Sequence, residues 1–380
     1  MAEHATGRQP TQEPAVPDSP ATPGGAAERT RRGNGSVGIR DVARAAGVST
    51  ATVSRVLNTP EAVGQPIREK VLEAVRQLRY VPHSAARALS LQRSHTLGIV
   101  IPSIANSIFA AQVEALQKCA SEHGYNVVIA LSDFSMDNEF RQMQNLVANG
   151  AEGVMLVGGW HRPELYDLLN ARGVVYVNTS VYDPASPHPT IGFDNAAAIG
   201  RATNYLLELG HTRIGVLSGQ RAENDRATYR LKGIQDALRA AGLTLDDQLV
   251  QECRYGISDA RQAFRELMSR RPAPTAIVCH NDVLAFGAVL EAQDMGLQVP
   301  ADVSVVGFDD LEWASQIRPS LTTVRVRWDQ MATLAGEHLI AQLTGAPVVH
   351  ATKVDVDLVV RESTGRCREA AKRPARNGRK

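Results

Sequence analysis

The spacing of apolar positions changes three times along the chain. Residues 1–37 show no apolar period and are rich in Pro, Ala, Gly and Thr, which predicts a disordered tail. Residues 40–58 then show two short helical stripes, Val42, Ala43 and Ala46 followed by Val53, Val56 and Leu57. Between them lies a tight turn, Ala46-Gly47-Val48-Ser49. Gly47 supplies a turn geometry that a larger residue resists, and the Ser49 hydroxyl can take a free N–H in the first turn of the second helix. That helix presents Thr50, Ala51, Thr52, Ser54 and Arg55, all polar or small, which suits a DNA major groove. The pair reads as a helix-turn-helix, although the same spacing fits an ordinary helical hairpin. A third helix is predicted over residues 66–79, with Pro66 at its first position and Ile67, Val71, Val75 and Leu78 closing a small core. Tyr80-Val81-Pro82 ends it, and residues 83–91 suit one further helix, too short to be stable alone.

From Leu97 short apolar runs alternate with amphipathic segments. Strands are predicted at 97–101, 126–131, 153–157, 174–178, 213–217, 276–279 and 303–307. Helices are predicted near 108–123, 137–149, 163–172, 196–209, 228–241, 259–270 and 283–295. Gly124, Gly150, Gly173, Gly210 and Gly296 stand where helix C-terminal caps belong. Apolar strands separated by helices indicate an α/β body of parallel sheets covered on both faces.

Composition narrows the class. A chain of 380 residues with 43% hydrophobic content can fill two or three domains. No apolar run reaches the ~18 residues of a membrane span, and no charged-then-apolar signal segment is expected at the N-terminus. The net charge of +1 conceals segregation. Residues 38–93 carry nine basic and four acidic residues, and residues 366–380 seven and one, whereas residues 94–365 carry 21 basic and 31 acidic. A basic front on an acidic body suits a protein that meets phosphate with one end. Cys119, Cys253, Cys279 and Cys367 have no paired spacing and read as reduced thiols rather than a disulfide framework or zinc site. Gly33, Gly35 and Gly38 fit a dinucleotide-binding pattern, but a Pro-rich tail stands where the pattern needs a strand. There is no nucleophile elbow, P-loop or His-Glu-x-x-His, so neither a catalytic site, a metal site nor a cofactor is expected.

The wording of several segments is more specific than their spacing. DVARAAGVSTATVSRVLN, REKVLEAVRQLRYVPHSAARAL, ELGHTRIGVLSG, HNDVLAFGA and VPADVSVVGFDD closely resemble the lactose repressor/galactose repressor family over residues 38–365. PSIANSIFA, IGFDN and DRATYRLKG look most like its gluconate-type repressors. The resemblance implies a three-helix headpiece at 38–82 and a hinge helix at 83–93 that orders when two copies meet in the DNA minor groove. It further implies a two-lobed, periplasmic-binding-protein-like core at 94–365, followed by a mobile basic tail at 366–380. The N-lobe would take about 95–192 and 325–353, and the C-lobe about 195–322 and 354–365. The chain would cross between lobes near 191–195, 322–328 and 352–355.

The same resemblance assigns roles to residues. Arg55 matches a recognition-helix arginine for base or phosphate contact, and Thr50 and Ala51 stand where operator choice is made. Ser49, Thr52, Ser54 and Asn58 are expected at phosphates. Ala86 and Leu89 fall in the hinge, where Leu89 matches a leucine that wedges into a base step; its alternative is packing against the core. Gly38 departs from the usual Ser or Thr cap, at an expected loss of a few tenths of a kcal/mol. Arg230 and Asp309 match effector-binding residues. Asn281 and Asp282 end the 276–279 strand, Asp194 and Asn195 lie at the first crossover, and His280 adjoins the cleft. Helix capping remains open for Asp194 and Asp282. Phe109 and Tyr255 could stack on a sugar ring, and Arg226 with Arg230 could receive a carboxylate.

These readings converge on a cytoplasmic, nucleoid-associated DNA-binding transcription regulator, a repressor controlled by a sugar or sugar acid. It would act as a homodimer, or a tetramer, on near-palindromic operator DNA, with no membrane partner. The alternatives are a sugar-binding transport protein, which leaves the headpiece unexplained, and a sugar-modifying enzyme.

Overall fold

A computed structural model of the protein describes residues 37–81 and 93–368. The expected hinge helix, with Ala86 and Leu89, lies outside the described residues, as do residues 1–36 and 369–380. The chain divides between Pro82 and His83 into two compact units.

The first unit is a three-helix headpiece. Helix α1 (Ile39–Ala46) begins at Gly38, whose backbone N–H donates to the Asp41 carboxylate at 3.0 Å, so the aspartate supplies the capping that Gly38 has no side chain to give. Gly47 ends α1 in the left-handed region at φ 66°, directing the chain into the turn. Helix α2 (Thr50–Asn58) starts at Ser49, whose hydroxyl accepts the Thr52 N–H at 3.1 Å. Helix α3 (Gln65–Gln77) places Pro66 second, not first. The core is Val42, Ala43, Val53, Val56, Val71 and Ala74. Ile67, expected in that core, is 42% exposed, and Ala74 takes the inward position one turn before Leu78.

The second unit contains two six-stranded sheets. Strands β1 (Thr96–Ile101), β2 (Asn126–Leu131), β3 (Gly153–Val157), β4 (Val175–Thr179) and β5 (Thr190–Gly192) form the first, with β11 (Ala351–Lys353), in the order β11-β5-β4-β3-β1-β2. Its described pairings are all parallel. Strands β6 (Ile214–Gly219), β7 (Val250–Cys253), β8 (Ala276–Cys279), β9 (Ser304–Asp309) and β10 (Thr322–Val326) form the second, with β12 (Val356–Val359), in the order β12-β10-β9-β8-β6-β7. Only the edge strand β12 runs antiparallel, against β10. The expectation of an α/β chain with a helix-turn-helix headpiece and a two-lobed core of parallel sheets is met.

Helices α4 (Ser107–Glu122), α5 (Met136–Ala148) and α6 (Pro163–Arg172) cover the first sheet, and α7 (Asn195–Glu208), α8 (Asp225–Ala240), α9 (Ile257–Met268) and α10 (Asp282–Asp294) the second. Helix α11 (Trp328–Thr344) returns to the first lobe, packing on α4, β3 and β4. The lobes are therefore joined after β5, after β10 and after β11. The body also runs on through Arg368. Cys367, expected in a mobile tail, is buried, with its N–H on the Leu209 carbonyl at 2.9 Å.

Each lobe repeats the sequence order 2-1-3-4-5 among its first five strands, reversing direction beside β1 and beside β6. Loops that leave such a reversal diverge to opposite faces and open a crevice at the carboxyl ends of the strands. Helices α7 and α8 meet so closely that a Cβ on Gly233 would lie 2.2 Å from the Ala196 carbonyl oxygen. Backbone cannot yield as a side chain does. Gly233→Ala should therefore destabilise this unit by about 3 kcal/mol, read as a fall in the denaturant midpoint; an unchanged midpoint would contradict the close packing.

Candidate functional site

The strand ends of both lobes converge on one small cavity of about 30 Å³. From the first lobe come Asn106, Ile108 and Phe109 after β1, Phe134 after β2, Val157 at the end of β3 and Ser180 after β4. From the second come Asn224, Arg226 and Arg230, then Tyr255 after β7, Asn281 after β8 and Asp309 at the end of β9, with Trp328 at the second crossover. Of the seven residues singled out from sequence, Phe109, Arg226, Arg230, Tyr255, Asn281 and Asp309 are brought together here.

Arg230 is the centre of this arrangement. It is 6% exposed, its Nε donates to Asn195 Oδ1 at 3.0 Å, and its Nη1 donates to the His280 carbonyl. The guanidinium lies 3.7 Å from the centroid of the Phe308 ring, within cation–π range. Burial pushes its pKa down, and the charge of Asp309 opposes the shift. Asp309 is 2% exposed, holds a left-handed φ of 116°, and has no hydrogen-bond partner on either carboxylate oxygen among the described residues. Burial drives its pKa well above the usual carboxylate range, with Arg230 opposing and Asp282 adding to the rise. A non-glycine residue in this conformation with both oxygens unpaired is a candidate for binding rather than packing.

Two further orphaned groups line the same cavity, the Ser180 hydroxyl and the Trp328 indole N–H, both buried and unpartnered among the described residues. Asn281 caps α10, its Oδ1 accepting the Leu284 N–H at 2.9 Å. Sequence reasoning passed over Ser180 and Trp328, as well as Asn106, Ile108, Phe134, Val157 and Asn224. Trp328 carried the only advance signal, standing at the expected second crossover.

Arg226 and Asn195 are placed differently from the rest of the set. Arg226 lines the cavity but is already engaged, its Nη1 bonding Asp225 Oδ1 and the Val157 carbonyl of the other lobe, each at 2.9 Å. Its Nη1 is thereby committed to holding the lobes together, while Nη2 and Nε have no hydrogen-bond partner among the described residues. Asn195 does not line the cavity; it stands behind Arg230 and donates to the Ser180 carbonyl at 2.8 Å, joining the lobes. Gly159 N–H to Asp225 and Met136 N–H to Glu223 add two more inter-lobe bonds, at 2.5 and 2.7 Å. Asp194 is a helix cap, accepting the Ala197 N–H. Asp282 is not. It accepts the Thr323 hydroxyl at 2.6 Å and the Leu311 N–H at 2.8 Å, tying α10 to strand β10 and to the loop after β9. His280 is fully buried, bonded to Ser218 through Nδ1, and outside the cavity lining.

In the headpiece, Thr50, Ala51 and Arg55 lie on α2, with Thr50 and Ala51 exposed, and no side-chain hydrogen bond engages Arg55 among the described residues. The other polar residues of this face bond each other. Ser49 and Thr52 share a hydroxyl contact of 2.9 Å, and Asn58 donates to Ser54 at 3.3 Å. Thr52, Ser54 and Asn58 are accordingly half-buried rather than exposed.

One chain thus holds a helix-turn-helix unit with an arginine on its second helix and an α/β unit whose two lobes close on one cavity. That combination defines a DNA-binding regulator with a periplasmic-binding-protein-like body. Residues 38–83 match the lacI family of bacterial regulatory proteins and residues 203–364 the periplasmic binding protein-like domain. The HTH-type transcriptional repressor CytR of Escherichia coli (strain K12) is 32% identical over 329 residues, covering 86% of this chain and 96% of that protein. The HTH-type transcriptional regulator MalR of Streptomyces coelicolor is 35% identical over 336 residues, covering 86% and 96%. The crystal structure of the lac repressor dimer bound to operator and the anti-inducer ONPF matches with a TM-score of 0.77 at 28% identity, covering 87% of this chain and 99% of that one. This chain belongs to the lacI family and is a sequence-specific DNA-binding transcription regulator. Among the described residues no helix is long and apolar enough to cross a membrane.

Burial raises the Asp282 pKa to about 7, against the pull of the Thr323 and Leu311 hydrogen bonds. An unfolded aspartate titrates near its ordinary value of 3.8, so between about pH 4 and 7 the folded chain holds a proton that the unfolded chain has lost. Stability from this group is present below that window and falls as pH rises through it. Asp282→Asn should flatten the pH dependence of unfolding free energy there by up to about 1.4 kcal/mol per pH unit. Urea unfolding from pH 4 to 8 measures it; identical slopes in both proteins would show that Asp282 does not titrate in this range.

Proposed function

We propose that the protein is a repressor whose affinity for operator DNA is set by a sugar or sugar acid held between its two lobes. The observation that carries this reading is the convergence of unpartnered buried polar groups, the Asp309 carboxylate, the Ser180 hydroxyl and the Trp328 indole N–H, on one cavity beside Arg230. Carboxylate, hydroxyl, indole and guanidinium groups with aromatic walls from Phe109 and Tyr255 suit a polyhydroxylated ring. Lac repressor structures are described as bound to the anti-inducer ONPF and to ONPG. The cavity of about 30 Å³ is far below the ~300 Å³ of small ligand pockets. A ligand therefore enters by parting the lobes, which breaks the bonds from Arg226 and Asp225 to Val157 and Gly159. Ligand binding and inter-lobe angle are thus one equilibrium, the element an allosteric regulator needs.

On the DNA side, α2 would lie in the major groove with Thr50 and Ala51 at base edges and Arg55 at a base or phosphate. Ser49, Thr52, Ser54 and Asn58 would face phosphates, with Ala86 and Leu89 in the minor groove at the centre of a near-palindromic site. The functional unit would be a homodimer in the cytoplasm, associated with the nucleoid. The edge strand β2 offers an unpaired edge with exposed apolar residues, Ile129 and Leu131 at 46% and 39% on one side and Val128 at 43% on the other, which favours a self-complementary contact. A transport role leaves the headpiece without a use, and no group in the cavity is arranged as nucleophile and base.

Arg230→Ala should abolish the thermal stabilisation produced by whichever sugar or sugar acid raises the wild-type melting temperature. Operator affinity should be retained. A variant that keeps the ligand-induced shift would place the site elsewhere. Arg55→Ala should weaken operator binding about 10- to 100-fold without lowering the melting temperature. Wild-type log affinity should also fall with log salt by several units of slope. Fluorescence anisotropy on a labelled operator reads both, and a salt-independent affinity would remove the headpiece from the DNA-binding role.

A further inference from the structure

The loop after β3 carries the first lobe's half of the latch made with Asp225 and Arg226. Gly158 there has a φ of 103°, and a Cβ on it would overlap the Arg226 guanidinium. The Gly158–Gly159 peptide is held at both ends. Its N–H, that of Gly159, donates to Asp225 Oδ2 of the opposite lobe at 2.5 Å, and its carbonyl, that of Gly158, lies 3.1 Å from His161 Nε2. The other ring nitrogen of His161, Nδ1, lies 2.8 Å from Glu139 Oε2 on α5. We propose that His161 is a protonation switch for lobe closure: its imidazolium form sets this peptide for Asp225, and loss of the second ring proton as pH rises loosens the latch.

The proton count follows from the acceptors. A carbonyl oxygen has no hydrogen to give, and Glu139 stands in the first turn of α5, where a helix N-terminus favours an anion. Both ring nitrogens must then donate, which requires the imidazolium. The side chains of His161 and Glu139 are 1% and 10% exposed, so water does not readily replace either bond. A neutral ring has one N–H for two acceptors and turns a lone pair on either the carboxylate or the carbonyl. The C=O and N–H of one trans peptide point in opposite directions. Whatever turns the Gly158 carbonyl therefore also turns the Gly159 N–H away from Asp225. The run of Glu139 carboxylate, imidazolium, peptide and Asp225 carboxylate is a chain of hydrogen bonds that polarise one another. Of the other groups that face it, Tyr166 on α6 meets the His161 ring edge to face at 5.8 Å, and burial pushes its pKa far up. His188, stacked on Tyr166, is pushed down by burial first and by the charges of His161 and His350 next. Asp225 and Arg226 pair at 2.9 Å on α8, and Arg162 pairs with Asp137 of α5 at 2.5 Å. A proton that binds the closed arrangement better than the open one acts as an effector, favouring closure at low pH and ceasing to as pH rises.

The test uses the full chain without added ligand and follows hydrogen exchange of the Gly159 amide. Mass spectrometry on overlapping peptides reads it, corrected for the intrinsic pH dependence of exchange. Protection in the native protein should fall about tenfold or more between about pH 6 and 9, as expected for the loss of one charge-assisted hydrogen bond. His161→Gln should show the low protection at every pH. Glu139→Gln keeps an acceptor for Nδ1 but removes the charge, so its transition should move to lower pH by about one unit or more. A merely structural role would lower protection in this variant without moving the midpoint. His188→Asn should leave the profile in place. If His161→Gln does not fold, the midpoint of Glu139→Gln decides alone. A flat native profile, a transition that persists in His161→Gln, or an unmoved midpoint in Glu139→Gln would each overturn the switch. No sugar enters the experiment, so its outcome is independent of the central-cavity reading.

Discussion

The burial of the Arg230 guanidinium constrains everything around it. A cation removed from water is tolerated only when its donors are satisfied and a counter-charge stands near. Asn195, the His280 carbonyl and the Phe308 ring meet part of that demand, and the Asp309 carboxyl, itself held toward its neutral form by burial, stands beside them. Each is tied to something else. Asn195 bonds Ser180 in the opposite lobe, and Phe308 packs against Phe193, which in turn meets Trp328, each pair at 5.9 Å between centroids. Phe193 and Trp328 stand at the first and second crossovers, so the ring beneath the guanidinium is linked to the hinges through one aromatic chain. A ligand that altered the charge balance at Arg230 and Asp309 would be felt where the lobes turn.

The topology explains why such a site can be assembled at all. Two sheets of the same strand order present their carboxyl ends to each other, so short loops from both lobes reach one small volume. The scaffold behind them is a packed apolar core, while the residues at the strand ends carry the unpaired polar atoms. Stability and function are thereby divided between strand interiors and strand ends. The start of α8 also sends Glu223, Asp225 and Arg226 across the cleft, holding the lobes together through backbone groups of the first lobe rather than through its side chains.

The headpiece stands in contrast. Its core is six small buried residues, every one Val or Ala. A domain of this size buries little surface and is marginal by itself. Its order depends on local devices: the Asp41 carboxylate on Gly38, the left-handed Gly47, and the Ser49 cap. These devices are written in consecutive residues, which is why the headpiece is legible in the amino-acid sequence.

Sequence alone determined the elements whose signals are local. The predicted strand at 126–131 coincides with β2, 153–157 with β3 and 276–279 with β8, and the helix at 163–172 with α6, because apolar runs or amphipathic periods between glycine stops define them. Helix α11 went unseen despite its 17 residues, since neither a capping side chain at Arg327 nor a proline such as Pro163 of α6 marks its start. Strands β5, β7, β10, β11 and β12 have three to five residues each and, unlike β3 and β8, no continuous apolar run, so only their pairing in the sheets defines them. In the cavity, Arg230 and Asp309 were legible from the motifs that hold them. Ser180 and Trp328 were not, because a serine or tryptophan becomes a candidate only when burial leaves its polar atom without a partner. Arg226 illustrates the converse. Its charge and position were evident from the chain, but the carbonyl that occupies it belongs to Val157, 69 residues earlier, and only the closing of one lobe on the other brings the two within 2.9 Å.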